Sequence, residues 1–182
     1  ANCTTPSNYF HALRRQVRRN FRKPLILMTP KSLLRHKMCV SKLEEFATGR
    51  TFHRLLWDGA EDAAQRELKS DAQIRRVVLC SGKVYYDLFQ ARAQAGAWDV
   101  YLMRAEQLYP FPRTALQKEL KRFTQAELVW AQEEPKNMGA WSFVEPRLED
   151  AMRGAGMKAS RPRYVGRKEA AAPATGIFAR HQ

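Results

Sequence analysis

The chain has 182 residues, of which 45% are hydrophobic and 10% aromatic, and its 32 lysines and arginines against 18 acids give a formal net charge of +14. That apolar content suffices to bury a core, so a disordered basic tail is excluded, and the length suits one domain of ordinary size with an appendage. The longest apolar runs, Leu25 to Met28 and Val77 to Cys80, fall far short of the ~18 residues a membrane helix needs, and the three separated cysteines make neither a disulfide framework nor a zinc finger.

The first predicted element is an amphipathic helix over residues 7–20, because Tyr9, Phe10, Leu13 and Val17 recur at spacings of three and four. Its other face carries Arg14, Arg15, Arg18 and Arg19, free to be solvated or to pair with acids elsewhere. Leu25 to Met28, bounded by Pro24 and Pro30, reads as a short buried strand, and residues 31–37 as a basic connector. Ser41 is placed to cap a short helix over residues 42–47, with Glu44 completing a capping box and Gly49 ending it. Residues 58–72 are polar and Ala-rich, as expected of a surface excursion.

From Arg75 the rhythm becomes regular. Strands are predicted at residues 77–80, 100–103, 128–131 and 163–165, and helices at 83–95, 113–123 and 142–153, the last starting irregularly around Pro146. Alternating helices and short apolar strands imply an α/β sandwich over roughly residues 50–167, with a mainly parallel sheet covered on both faces. The Ala170 to Ala174 stretch reads as an extended tail that must lie on something to be ordered.

The charge is lopsided. Residues 1–43 hold ten basic residues and no acid, residues 44–160 balance 17 against 17, and residues 161–182 hold five basic residues and one acid. The basic ends therefore meet either a phosphate-rich ligand or an acidic protein surface. Cys80-Ser81-Gly82-Lys83 lies where a strand ends and a helix begins, a place where backbone N–H groups can hold an anion. One glycine is not a P-loop, however, and the reading preferred for Gly82 is close approach of backbone. Glu133 and Glu134 are neighbours on extended chain and point apart, which favours capping or ion pairing over acid/base chemistry. The histidines His11, His36, His53 and His181 show no ligand spacing, so no metal site is expected, and Trp130 inside an apolar strand reads as core rather than a base-stacking platform. No complete active site can be assembled from these residues.

Several long strings together resemble one family. They are Asn2-Cys-Thr-Thr-Pro6 with Tyr9-Phe-His-Ala-Leu-Arg-Arg15, Arg22-Lys-Pro-Leu-Ile26, Thr29-Pro-Lys-Ser-Leu-Leu-Arg-His36, Cys80-Ser-Gly-Lys-Val-Tyr-Tyr-Asp87, Glu106-Gln-Leu-Tyr-Pro-Phe-Pro112, Gln132-Glu-Glu-Pro-Lys-Asn-Met-Gly-Ala-Trp141 and Arg163-Tyr-Val-Gly-Arg167. They resemble the C-terminal part of the thiamine-dependent, decarboxylating component of 2-oxoglutarate dehydrogenase, over essentially the whole chain, with Met138 where the family commonly has Gln.

The resemblance implies a transketolase-like C-terminal domain over residues 41–182, with its extended tail, preceded at 1–40 by a helix-strand remnant that ends the pyrimidine-binding domain. The parent enzyme would use thiamine diphosphate and Mg²⁺, decarboxylate 2-oxoglutarate in the tricarboxylic acid cycle, and pass the succinyl group to a lipoyl arm of the dihydrolipoyl succinyltransferase component. It would be a homodimer, in the bacterial cytoplasm or, in a eukaryote, the mitochondrial matrix, with neither nucleic acid nor membrane as partner. This segment lacks the diphosphate-binding pattern and the activating Glu, so it is expected to carry no catalytic residue, to bind no cofactor or metal, and to be inactive alone. Gly82, Gly139 and Trp141 are expected to shape its fold. Some relatives carry an acetyl-CoA effector site at the seam between the two domains, and Arg15, Gln107 and Arg113 are the residues that would form it here. The contrasting expectation is a stand-alone basic module for nucleic acid or CoA-like phosphates.

Overall fold

Apolar residues on the central strands alternate between two faces, and that alternation builds two cores. The computed structural model describes residues 1–61 and 67–176. Its five strands are β1 (Leu55–Leu56), β2 (Arg76–Cys80), β3 (Val100–Ala105), β4 (Glu127–Pro135) and β5 (Arg163–Arg167), in the spatial order β1-β3-β2-β4-β5. Four strands run parallel, while β1 is antiparallel to β3 with Leu55 opposite Ala105. The helices are α1 (Pro6–Arg18), α2 (Val84–Ala95), α3 (Arg113–Leu120) and α4 (Trp141–Ala155).

Val77, Leu79, Tyr101, Met103, Leu128 and Trp130 point to one face and are sealed by Leu116 and Leu120 of α3 and by Val144, Leu148 and Met152 of α4. Val78, Cys80, Leu102, Val129 and Ala131 point to the other face, where Tyr85 and Tyr86 of α2 cover them. Burying each large apolar side chain here stabilises the fold by about 1.5–3 kcal/mol. The glycines Gly96 and Gly156 adopt left-handed φ of +60° and +72° and stop α2 and α4. The expected α/β architecture is therefore present, with an antiparallel edge that the apolar runs did not announce.

That edge is finished by a charge. Beyond the two residues of β1, the buried Asp58 carboxylate accepts the Leu102 N–H at 2.7 Å and the Ala60 N–H at 2.9 Å, and it pairs with the buried Arg92 guanidinium. The side chain thus replaces the strand that would otherwise satisfy β3. Residues 58–72 are consequently not a surface excursion throughout, since Asp58, Ala60 and Leu68 are buried; residues 62–66 lie outside the described residues. Arg122 anchors the return through Glu61 and through Asp71 at 2.8 and 3.0 Å.

Three local expectations are corrected. Leu25 to Met28 is extended but forms no strand, and Ile26 and Met28 are 69% and 59% exposed. Two bonds to Ala1 tie it back, Met28 N–H to the Ala1 carbonyl at 2.9 Å and the Ala1 amine to the Ile26 carbonyl at 2.8 Å, too few for a ladder. Ser41 does not cap the following turn; its Oγ accepts the Ser7 N–H of α1 at 3.1 Å, and the turn at Leu43–Phe46 is closed by Glu45, which accepts the Lys42 N–H. Helix α4 opens at Trp141, one residue before the expected 142, and its expected irregular start is corrected, since the helix runs unbroken through Pro146; the buried Gln132 Oε1 accepts the Trp141 N–H at 3.1 Å and fixes the first turn.

The largest difference concerns α1. Its apolar stripe, Tyr9, Phe10, Leu13 and Val17, is exposed, whereas Ser7, Asn8, His11 and Ala12 are buried. Thr5 caps the helix by accepting the Asn8 N–H. Amphipathicity located the helix correctly and its buried face wrongly, because hydrogen bonds rather than apolar area attach it.

Candidate functional site

The seam between residues 1–18 and the carboxyl end of β3 is the most polar buried region of the described structure. Glu106, fully buried, accepts the Thr4 N–H at 2.9 Å, the Thr4 hydroxyl at 2.5 Å and the Asn8 Nδ2 at 2.9 Å. Arg104 Nη1 donates to Thr4 Oγ1 at 3.1 Å and stacks over the Tyr85 ring at 3.9 Å. Asn8 bonds the backbone of His53 in both directions, and the Tyr86 hydroxyl and Cys39 thiol both donate to the Thr4 carbonyl. Burial pushes the Glu106 carboxyl above its ordinary range, a trend that Arg104 and the bonds from Thr4 and Asn8 oppose.

Two turns beyond Asn8 along α1, Arg15 Nη2 donates to Gln107 Oε1 at 2.9 Å, and Gln107 Nε2 donates to the Pro110 carbonyl at 2.7 Å. The Arg15 guanidinium lies 4.2 Å over the Phe52 ring, and partial burial, then the neighbouring Arg19 and Arg54, lowers its pKa. These cations border an open groove of about 480 Å³ walled by Arg15, Arg19, Phe52, Arg54, Trp57 and Lys118. A guanidinium offers two parallel donors, so such a groove is suited to phosphate or carboxylate groups. The structure thus joins two of the three expected effector residues, Arg15 and Gln107. Arg113 is exposed at the first residue of α3, outside that lining.

The strand-to-helix turn after β2 is taken up by protein. Gly82 has φ +80°, and a Cβ there would sit 2.5 Å from Asn2 Nδ2, so glycine is required by the approach of the first residues. Gly139, with φ +67°, is required by Gln132 in the same way, at 2.9 Å. Gln132 is a hub: Oε1 accepts from Trp130 Nε1 at 2.9 Å and from Trp141 N–H, and Nε2 donates to the Met138 carbonyl at 2.7 Å. Trp141 is buried against Tyr164. Glu133 pairs with Lys83, Glu134 is exposed, and Trp130 is core. Burial pushes the Cys80 thiol up to about 12, which disqualifies it as a nucleophile at neutral pH. Among the described residues no three His, Cys, Asp or Glu side chains come together as a metal site. His181 lies outside the described residues.

Sequence reasoning missed the seam's main actors, Thr4, Asn8, His11 and Glu106. One signal was available for Glu106, a carboxylate two residues after Arg104 at the end of an otherwise apolar strand. Nothing local marks Thr4 or Asn8, whose shared partner Glu106 is 102 and 98 residues away.

A mostly parallel sheet with an antiparallel edge, carrying a polar seam and no assembled set of reacting groups among the described residues, fits the transketolase C-terminal class of α/β domains. The chain belongs to the 2-oxoglutarate dehydrogenase C-terminal family, whose model matches residues 40–182. It is 61% identical, over its whole length, to the proteins named 2-oxoglutarate dehydrogenase E1 component from Brucella anthropi, Brucella ovis and Brucella canis. The chain spans 18% of the length of each of those relatives. A match of this extent inside a longer protein leaves the stand-alone basic module without support.

Proposed function

We propose that this chain is the C-terminal region of a 2-oxoglutarate dehydrogenase E1 component, and that it acts as a structural and regulatory domain of that enzyme. The observation that carries the reading is the 61% identity across the entire chain, which takes in both the sheet domain and the α1 segment bolted to it through Glu106. On this reading the whole enzyme decarboxylates 2-oxoglutarate and hands succinyl to the lipoyl arm of a dihydrolipoyl succinyltransferase, in the bacterial cytoplasm and as a homodimer. Thiamine diphosphate with Mg²⁺ supplies the electron sink for the decarboxylation. The residues of this chain do not fit that group: the buried carboxylates Asp58 and Glu106 are taken by Arg92 and by the seam, and no metal-ligating cluster forms among the described residues. The chemistry then belongs to other parts of the polypeptide.

Residues 1–40 would be the end of the pyrimidine-binding domain and 41–182 the C-terminal domain. The outward apolar stripe of α1 suits a segment covered by further chain. The groove beside Arg15 and Gln107 would take the phosphates of acetyl-CoA, with Arg113 reaching in from the start of α3.

The test is expression of the intact enzyme with and without this segment, assayed for 2-oxoglutarate-dependent reduction of an artificial acceptor. Loss of activity and of dimer without the segment, and no activity from the segment alone, is expected; turnover by the truncated enzyme at the intact rate would overturn the reading. Acetyl-CoA should change the intact enzyme's rate and Arg15→Gln should abolish that response; an enzyme indifferent to acetyl-CoA removes the effector role and leaves the structural one.

A further inference from the structure

On the side of Arg15 away from Gln107, α1 and the loop after Phe46 enclose a second hollow, of about 300 Å³. Its walls are His11, Arg14, Arg15, Arg18, Thr48 and Thr51. Among the described residues none of these guanidiniums pairs with a carboxylate. Arg14 donates to the Arg50 carbonyl and Arg15 to Gln107, and Arg18 extends into solvent. Gly49 stands in the same wall with nothing within 4 Å of where a Cβ would be, so the space beside it is open.

His11 is the unusual member. It is only 3% exposed, and its Nε2 lies 2.7 Å from the Glu45 carbonyl oxygen, an acceptor only, so Nε2 carries the hydrogen. Nδ1 is buried and has no partner. A buried polar atom without a partner costs about 1–3 kcal/mol, and this one borders a hollow lined by three cations. A neutral ring offers a lone pair there, whereas a protonated ring offers a second donor.

We propose that this hollow is a binding site for a tetrahedral dianion, either free phosphate or a phosphate monoester, taken up together with a proton on His11 Nδ1. Arg14, Arg15 and Arg18 supply the charge, Thr48 and Thr51 supply hydroxyl donors, and the dianion pays back the cost of a charged His11 among cations. The groups facing His11 agree with this linkage. Its own helix contributes Arg14, Arg15 and Arg18, and the loop beyond contributes Arg50, His53 and Arg54. The adjoining turn contributes Glu45, whose oxygens are taken by the Ser7 hydroxyl and the Lys42 N–H, and the exposed Glu44. The site shares Arg15 and Thr51 with the groove assigned above to acetyl-CoA, whereas His11, Arg14, Arg18 and Thr48 line this hollow and not that groove, so it is tested separately through them.

Calorimetric titration of the intact polypeptide with sulfate, which does not itself titrate near neutrality, tests the linkage. Saturable binding that tightens about tenfold between about pH 8 and about pH 6 is expected, since uptake of one proton contributes up to about tenfold per pH unit. His11→Gln retains a donor to the Glu45 carbonyl but cannot charge, so its sulfate affinity should be flat with pH. Arg18→Gln, at an exposed position with no side-chain partner among the described residues, should weaken binding several-fold at every pH. Tighter binding of glycerol 3-phosphate than of inorganic phosphate would make the physiological ligand an ester, and the reverse would make it free phosphate. No saturable sulfate binding, undiminished binding in Arg18→Gln, or a pH slope that survives in His11→Gln would each overturn the proposal.

Discussion

The sheet domain and the α1 segment are held by opposite means. Between β2 and α4 the fully buried side chains are mostly apolar, and Leu79, Leu128, Leu148 and Met152 are completely enclosed. At α1 the buried side chains are Ser7, Asn8, His11 and Ala12, and the apolar ones face outward. Apolar burial is non-directional and tolerates repacking, whereas hydrogen bonds need a particular partner at a particular distance. The segment is thus fixed in one orientation by few groups, while its apolar surface stays available for other chain.

The comparison can be broken most severely at Asp58 and Arg92, where the sheet domain relies on a buried ion pair. Asp58→Ala leaves Arg92 buried and unpaired and the Leu102 N–H without its acceptor, so a loss of about 3–5 kcal/mol is expected in urea denaturation. Leu148→Ala, an ordinary cavity between α4 and the sheet, should cost about 2–5 kcal/mol in the same experiment. Asn8→Ala removes bonds to Glu106 and to both backbone groups of His53, and about 1–3 kcal/mol is expected. That loss should appear as early proteolysis near α1, with the sheet domain still protected; simultaneous loss of both would show that the two regions unfold as one.

A smaller effect sharpens the same contrast through pH. The folded-state pKa of Glu106 is raised, so its contribution to stability is fully present below the unfolded value of about 4.3 and is lost as pH rises through the folded value. Denaturation midpoints measured upward from about pH 4 should show that decline, and Glu106→Gln should be free of it. The smallest effect belongs to Val17→Ala, 78% exposed on the outward face, where a change within about 0.5 kcal/mol is expected in the 182-residue chain. A larger loss would show that the stripe is covered.

How legible each part was in the sequence follows from the same division. Strands β2, β3 and β4 were readable because short apolar runs bounded by turn residues have few other destinations, and α2 because Gly96 marks its end. The antiparallel β1 has only two residues, and its neighbour Asp58 acts through a partner 34 residues away, so no window of sequence contains that edge. Arg15 and Gln107 were named through resemblance and do meet, although 92 residues separate them, while Arg113 stays apart. Leu25 to Met28 shows the reverse failure, an apolar run that no neighbouring strand receives.

Sequence alone therefore determined the class of the fold, the order of its central elements and the family. It could do so because periodicity, turn chemistry and long shared strings are local properties of a chain. Only the tertiary structure decided which face of α1 is buried, where Ser41 and Glu106 spend their hydrogen bonds, and that His11 keeps an unpartnered nitrogen beside three guanidiniums. Those outcomes depend on desolvating polar groups against partners distant in sequence, and the sign of that energy is set by whether a partner arrives within about 3 Å.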